Sequence, residues 1–324
     1  MKAVIVNEDQ SLSWGEVDHP NFNDHEVLIR VSATAINRAD LMQRKGFYPP
    51  PPGASEIMGL ECAGEIVEVG AGCTRFKVGD KVCALLAGGG YSQYASAHEG
   101  SVVPIPDGVS DEQAAALPEV FATAWLNLFI EAGLKAGDKT IIHAGASGVG
   151  TTAIQLCKAF GASSFVTVGS SDKLRACIEL GAVGGFNRHD GSFLEAAKTF
   201  AGESGVDVIL DPVGAGYLSD NLSLLGLGGR LVLIGLMGGT KAELDLAQMM
   251  MKRARVIGST LRTRPVTEKA VVMAQLEEKV WPKIVSQEIK PIIEAVFPIT
   301  GVADAHDLVA SDTTTGKVIL TVGH

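Results

Sequence analysis

The sequence contains no Cys-x-x-Cys pair, and its five cysteines (Cys62, Cys73, Cys83, Cys157 and Cys177) are an odd number set far apart. That excludes a disulfide framework and a ribbon-type zinc lobe, and it fits a reducing compartment, with the cytoplasm as the expectation. Long apolar runs are missing as well. None approaches the ~18–20 residues of a membrane span, so no membrane partner is expected. The opening MKAVIVNEDQ turns polar after four apolar residues, too few for the core of a secretory signal. Positive charge is also short. Lys and Arg total 27 against 37 Asp and Glu, a net charge of −10. A nucleic-acid backbone needs a basic surface to displace its counterions, so no nucleic acid is expected. Internal repeats and low-complexity linkers are absent, apart from the four prolines after Tyr48, which favour a stiff extended loop.

A chain of 324 residues has room for about two domains, and its 38 glycines suit an α/β protein with many tight turns. The first third reads as strands: KAVIV, HEVLIRVSATAI, CAGEIVEVG and KVCALL are short apolar or alternating runs divided by Pro, Gly and Asp. From residue 111 the pattern turns helical, with Pro118 as a break. From residue 139 strands and helices alternate: KTIIHAG, TTAIQLCKAFG, SFVTVG, DKLRACIELGA, GVDVILDPVG, YLSDNLSLLGLGG and RLVLIGLMGG. This β-α-β order predicts a doubly wound parallel sheet with right-handed crossovers. The tail predicts a helix over TEKAVVMAQLEEKVWPKI, the strand AVFPI, a short helix VADAHDLVA and the strand KVILTV.

Between the first strand and first helix of that alternation lies HAGASGVG. Gly145, Gly148 and Gly150 allow backbone to approach a pyrophosphate at a helix N-terminus, where free N–H groups and the helix dipole favour negative charge. Val149 lies within the same turn, and Ser147 replaces the middle glycine of G-x-G-x-x-G. The serine either adds a hydroxyl toward the phosphates or caps the helix. Cofactor choice rests on the end of the second strand, where an NAD site usually has an Asp or Glu for the ribose hydroxyls. Here the strand ends at Gly169, followed by Ser170, Ser171 and Lys173, with Asp172 placed to cap the next helix. An uncharged strand end with Lys173 nearby, and Arg188 after the third strand, fits the 2′-phosphate of NADPH. The alternative is that Lys173 and Arg188 are solvated surface charges.

With these features the sequence resembles the medium-chain dehydrogenase/reductase superfamily, in its zinc-independent quinone oxidoreductase branch. The resemblance is carried by INRADLMQRKGFYPPPPGASEIMGLECAGEIVEVG, GDKVCALLAGGGYSQY, AAALPEVFATAW, IIHAGASGVGTTAIQL, ELGA and LIGLMGG, which span nearly the whole chain. It implies an α/β enzyme in which residues 1–118 and 263–324 form a β-rich GroES-like substrate domain and 119–262 a Rossmann NADP-binding domain. The active site is expected in the cleft between them. Zinc-dependent relatives have a Cys ligand where this chain has Asn37 and a His ligand where it has Leu60. Leucine cannot coordinate zinc and an amide is a poor ligand.

The resemblance also implies roles. Asn37 would face the nicotinamide ribose, Thr123 would sit beside the ring, and Gly235, Leu236 and Met237 would contact the cofactor, the last two through backbone groups to its carboxamide. Leu261 and Arg262 would close over the cofactor, and Tyr48 would line the acceptor pocket and donate a hydrogen bond to the reduced oxygen. Against these stand a turn or cap role for Asn37 and Thr123 and a plain loop role for Tyr48. His143, on an apolar strand, is expected to be a hydrogen-bonded core residue, and Asp40 and Glu61 structural. The implied activity is hydride transfer from NADPH to a quinone. The alternatives are reduction of alkenals or enones, or a crystallin-like or RNA-binding protein that holds NADPH with little catalysis. A homodimer is expected through the sheet edge at RLVLIG and the segment after it.

Overall fold

A computed structural model describes all 324 residues. In chain order the first elements are β1 Lys2–Val6, β2 Leu12–Glu16, β3 Glu26–Ala35, α1 Arg38–Arg44, β4 Glu61–Val69, β5 Lys81–Leu85, β6 Tyr94–His98, β7 Val102–Pro104, α2 Asp111–Ala115 and α3 Pro118–Trp125. An alternating series follows: β8 Lys139–His143, α4 Gly148–Ala159, β9 Ser163–Val168, α5 Ser171–Leu180, β10 Gly184–Asn187, α6 Leu194–Ala201, β11 Val206–Asp211, α7 Leu218–Leu224, β12 Leu225–Leu233, α8 Leu246–Lys252 and β13 Arg255–Gly258. The chain closes with α9 Val266–Lys279, α10 Trp281–Val285, β14 Ile293–Pro298, α11 Val302–Ala310 and β15 Lys317–Thr321. Two compact units result: Met1–Ala122 with Leu261–His324, and Thr123–Thr260.

In the first unit a seven-stranded sheet runs β14-β15-β3-β4-β5-β7, with β6 also paired to β3, and β1 and β2 form a separate hairpin. β3 has β15, β4 and β6 as partners along its ten residues, so Val27, Ile29, Val31, Ala33 and Ala35 are all fully buried. The return of the chain end as β15 beside β3 brings Lys317 within the same sheet as residues 26–35.

The second unit is a six-stranded parallel sheet in the order β10-β9-β8-β11-β12-β13. Relative to its own first strand this is 3-2-1-4-5-6, the doubly wound order in which ligands bind outside the carboxyl ends of the strands where the order reverses. Its core joins Ile141, Phe165, Ile209 and Leu231 to Phe193 and Ala197 of the covering segments. Full burial of such side chains contributes roughly 1.5–3 kcal/mol each.

Several expectations need correction. The helix expected over 217–229 is helical only at Leu218–Leu224, and β12 begins at once. The cause is Gly226 and Gly228: a Cβ on the first would stand 2.3 Å from the Ser204 carbonyl oxygen, and the second has φ +75°. The strand expected to run to 239 ends at Leu233, after which Met237 and Gly238 turn their N–H groups to the Pro212 and Val213 carbonyls. The segment RLVLIG is not the sheet edge, because β12 pairs with both β11 and β13, and the edge is β13. The long tail helix breaks at Val280, two residues before Pro282.

Candidate active site

The glycine turn of the second unit is built as a close-packed corner. A Cβ on Gly145 would meet Val166 at 2.7 Å, and one on Gly150 would lie 2.5 Å from the carbonyl oxygens of Ala144 and Gly145. Neither position admits a side chain, so strand, turn and helix pack closely there. Ala144 takes the left-handed conformation at φ +53° to make the corner, a strained state for a residue with a Cβ. Ser147 is the N-cap of α4, its Oγ accepting the Gly150 N–H at 3.0 Å, while Gly148 and Val149 form the first turn of the helix. The serine therefore performs the capping role, which leaves the other free N–H groups of the turn for an anion.

At the end of β9, a Cβ on Gly169 would meet the Arg188 guanidinium at 3.4 Å, so the two lie side by side. Ser170, and not Asp172, caps α5, its Oγ accepting the Lys173 N–H at 3.2 Å. Asp172 instead pairs with Arg175 on the helix surface. Gly235 sits against Pro212, where a Cβ would meet the Pro212 carbonyl oxygen at 2.8 Å, and Leu236 and Met237 beyond it are half-exposed. Thr123 is nearly buried in α3, and its carbonyl accepts the Asn127 Nδ2–H at 2.7 Å. Residues Leu126–Glu131 continue as a π-helix, a form concentrated at functional sites that no sequence pattern foretold.

In the first unit Asn37 is the N-cap of α1. Its Nδ2 donates to Glu61 Oε1 at 2.9 Å, and its Oδ1 accepts from Lys317 Nζ at 2.6 Å. Lys317 Nζ donates also to Glu61 Oε1 at 2.8 Å and to the Ile36 carbonyl at 2.9 Å. The second carboxylate oxygen of Glu61 accepts the Glu119 N–H at 2.9 Å. Asp40, wholly buried, accepts the N–H groups of Asn37 at 2.8 Å and Gly59 at 3.1 Å. Burial pushes its carboxyl up to about 6 against these stabilising hydrogen bonds. Leu60 is buried beside them, and no three His, Cys, Asp or Glu side chains converge as a metal-binding group anywhere in the chain.

Arg262 holds the loop that carries Tyr48. Its guanidinium donates to the Ala87 and Tyr48 carbonyls at 2.8 and 3.2 Å and to Gln43 Oε1 at 2.8 Å. It also lies 5.3 Å from the Tyr48 ring centroid. Burial raises the Tyr48 phenol above its ordinary value, with Arg262 opposing, so the hydroxyl stays protonated at neutral pH. Leu261 and Arg262 are both buried within the first unit.

The structure thus groups Asn37 with Glu61, and Tyr48 with Arg262. It adds Lys317, which the sequence reading passed over although a lysine opening the apolar run KVILTV was a visible signal. His143 is a hydrogen-bonded buried residue, as expected, joined to Thr167 and Asn221. A cavity of about 580 Å³ in the second unit is lined by Lys198, Ser204, Leu225 and Lys252. It lies at the starts of β11 and β12, away from the glycine turn.

Comparison with known proteins shows the family and the fold. The family model described as "Alcohol dehydrogenase GroES-like domain" matches residues 23–107, and "Zinc-binding dehydrogenase" matches residues 148–277. Quinone oxidoreductase of Rattus norvegicus is 32% identical over 93% of this chain and 90% of its own. Among solved structures, an NAD-dependent alcohol dehydrogenase superimposes with a TM-score of 0.87 at 28% identity, covering all of both chains. Quinone oxidoreductase of Escherichia coli complexed with NADPH gives 0.86 at 27% identity, covering 99% of this chain and 98% of that one. The CurK enoyl reductase gives 0.86 at 27%, covering 99% of each. No helix is long and apolar enough to cross a membrane. The chain is an oxidoreductase of the medium-chain dehydrogenase/reductase superfamily, and within it belongs with the quinone oxidoreductases.

Proposed function

We propose that this chain reduces quinones with NADPH and without zinc. The observation that carries the reading is the contact of Asn37, Glu61 and Lys317 beside Leu60. Where zinc-dependent relatives have ligands, this chain has an apolar side chain and a carboxamide already hydrogen-bonded at both ends. The Glu61 charge is met by an ammonium group. Polarising an ordinary ketone would fall to a Lewis acid for which no ligand set is present. An acceptor that is already electron-poor needs no such help.

The residues fit the cofactor. Gly145 and Gly150 let the turn pack closely against Val166 and its own carbonyls, which leaves the N–H groups at the start of α4 for a pyrophosphate, and Arg188 beside Gly169 presents a planar cation where a 2′-phosphate would be held. Bound NADPH supplies the hydride. The chain's own residues then act on the acceptor: Tyr48, held by Arg262 and kept protonated, donates a hydrogen bond and a proton to the reduced oxygen, with solvent restoring it. Asn37 is fixed in one orientation and presents a constant surface to the nicotinamide ribose. Copies of the chain would pair through the free edge of β13, beside the exposed Met250 and Met251. The acidic balance gives no reason to propose a nucleic-acid partner.

A panel of acceptors tests the reading. 1,2-Naphthoquinone and an alkenal are assayed with NADPH and NADH in parallel, with and without a chelator. Quinone turnover with NADPH, unaffected by chelation, is expected to dominate. NADH matching NADPH throughout, or loss of turnover on chelation, overturns it. Preference for the alkenal would favour the double-bond reductase reading, to which the likeness to an enoyl reductase lends support.

A further inference from the structure

Three neighbouring strands of the second unit are tied together at their carboxyl ends by side chains. His143 ends β8, Asp211 ends β11, and Thr167 is the penultimate residue of β9. His143 is 2% exposed, with Nδ1 2.9 Å from Thr167 Oγ1 and Nε2 2.7 Å from Asn221 Oδ1. Asn221, in α7, donates from Nδ2 to Asp211 Oδ2 at 3.0 Å. The direction of every bond follows from Asp211. An ionised carboxylate only accepts, so the Asn221 amide must face it and the Asn221 carbonyl must face His143. The imidazole proton then resides on Nε2, and Nδ1 accepts from the Thr167 hydroxyl.

Asp211 does more than end this chain of bonds. Its Oδ1 accepts the Val213 N–H at 2.6 Å, and the Gly214 N–H lies 3.2 Å from both Oδ1 and Oδ2, which shapes the turn after β11. The carbonyls of Pro212 and Val213 in that turn accept the N–H groups of Met237 and Gly238 at 3.1 and 2.7 Å. Gly214 takes φ +81°, and a Cβ there would stand 2.9 Å from Leu236 Cδ2. We propose that His143, Asn221 and Asp211 are positioning residues that hold the Gly235–Met237 segment in the shape that receives the nicotinamide end of the cofactor. The proposal rests on the NADPH reading above. It assigns the three residues no contact with reacting atoms.

The test compares binding of NADPH with that of 2′,5′-ADP, which lacks the nicotinamide half, and locates the His143 proton by ¹⁵N NMR, its signal assigned with H143Q. Unsubstituted protein is expected to carry the proton on Nε2. Asp211→Ala frees the turn after β11, so the NADPH Kd should rise about tenfold while that of 2′,5′-ADP stays within twofold. Asp211→Asn keeps an oxygen for the Val213 and Gly214 N–H groups but presents an amide to Asn221, which must flip. The flip reverses the chain and moves the His143 proton to Nδ1, with NADPH binding held within threefold of native. Equal weakening of both ligands in Asp211→Ala, unchanged NADPH binding there, or a proton that stays on Nε2 in Asp211→Asn each overturns the proposal. Should Asp211→Ala fail to fold, the Asp211→Asn spectrum decides. Failure of the cofactor reading looks different, because the unsubstituted protein then binds neither compound.

Discussion

Replacing Lys317 by methionine keeps an unbranched apolar stem of similar length in the first unit's sheet and removes only the ammonium group. That group is 4% exposed as part of its residue and makes three hydrogen bonds, to Ile36 O, Asn37 Oδ1 and Glu61 Oε1. Glu61, wholly buried, keeps the Asn37 amide and the Glu119 N–H but loses its counter-charge. Breaking a buried pair from one side costs ~3–5 kcal/mol, because the remaining charge stays desolvated and unpaired. Glu61→Gln alone leaves the opposite orphan, a buried ammonium, and should cost a similar amount. The double variant leaves no unpaired charge, so it should be destabilised by less than the sum of the two, with a coupling of ~2–3 kcal/mol. Urea unfolding followed by tryptophan fluorescence measures all three, Trp281 reporting from the same unit. Additivity within ~0.5 kcal/mol would show that Lys317 and Glu61 do not act as a pair and would refute the reasoning.

Other perturbations follow from the same geometry. Ala144→Gly relieves the left-handed strain at φ +53° and should stabilise the chain by ~0.5–1 kcal/mol, read as a higher urea midpoint; a lower midpoint would mean the corner is not strained. Arg188→Ala removes the cation beside Gly169, so kcat/KM for NADPH should fall at least about tenfold while that for NADH changes less than about twofold; equal losses would place Arg188 outside cofactor selection. His306, hydrogen-bonded to Tyr91 and lowered by burial to about 4, is neutral in the folded chain. A depressed folded value gives stability that is present above the unfolded value near 6.5 and lost as pH falls through about 4. The advantage of the native protein over His306→Gln should therefore shrink by up to roughly 3 kcal/mol between pH 7 and pH 4. Asp40 acts in the opposite sense, its raised carboxyl giving stability that is lost as pH rises through about 6. It is present in both proteins, so only its coupling to His306 through Tyr91 enters the difference, and a gap that does not move with pH would contradict the burial of a neutral imidazole.

Most of the second unit was legible because its information is local. A buried strand, a glycine turn and a helix follow one another within a few residues, and each carries its own pattern, from KTIIHAG to the cap at Ser147. One error fell where glycine let tertiary packing override the pattern, at Gly226, where the chain leaves α7 directly for β12, and α6, α8 and the edge strand β13 were not read at all. In the first unit β6 and β7 went unseen because YASAH and VVP are too short or too weakly apolar to stand out. The Asp211 signal was present in VILDPVG, an acid closing a buried strand, yet its partners His143 and Asn221 come from other elements and have no fixed spacing to it.

The same limit applies to Asn37, Glu61 and Lys317, and there it changes the chemistry inferred. From sequence, Asn37 and Leu60 argue only by what they lack as metal ligands, while Glu61 reads as a leftover structural acid. Lys317 lies 256 positions from Glu61, and only the pairing of β15 with β3 brings the two together. A buried carboxylate without a counter-charge would itself attract a cation, so missing ligands alone leave room for one. Lys317 closes that room: it satisfies the Glu61 charge and fixes the Asn37 carboxamide through one atom. The zinc-free chemistry proposed above therefore draws on a group that is present, the Lys317 ammonium, as well as on ligands that are missing.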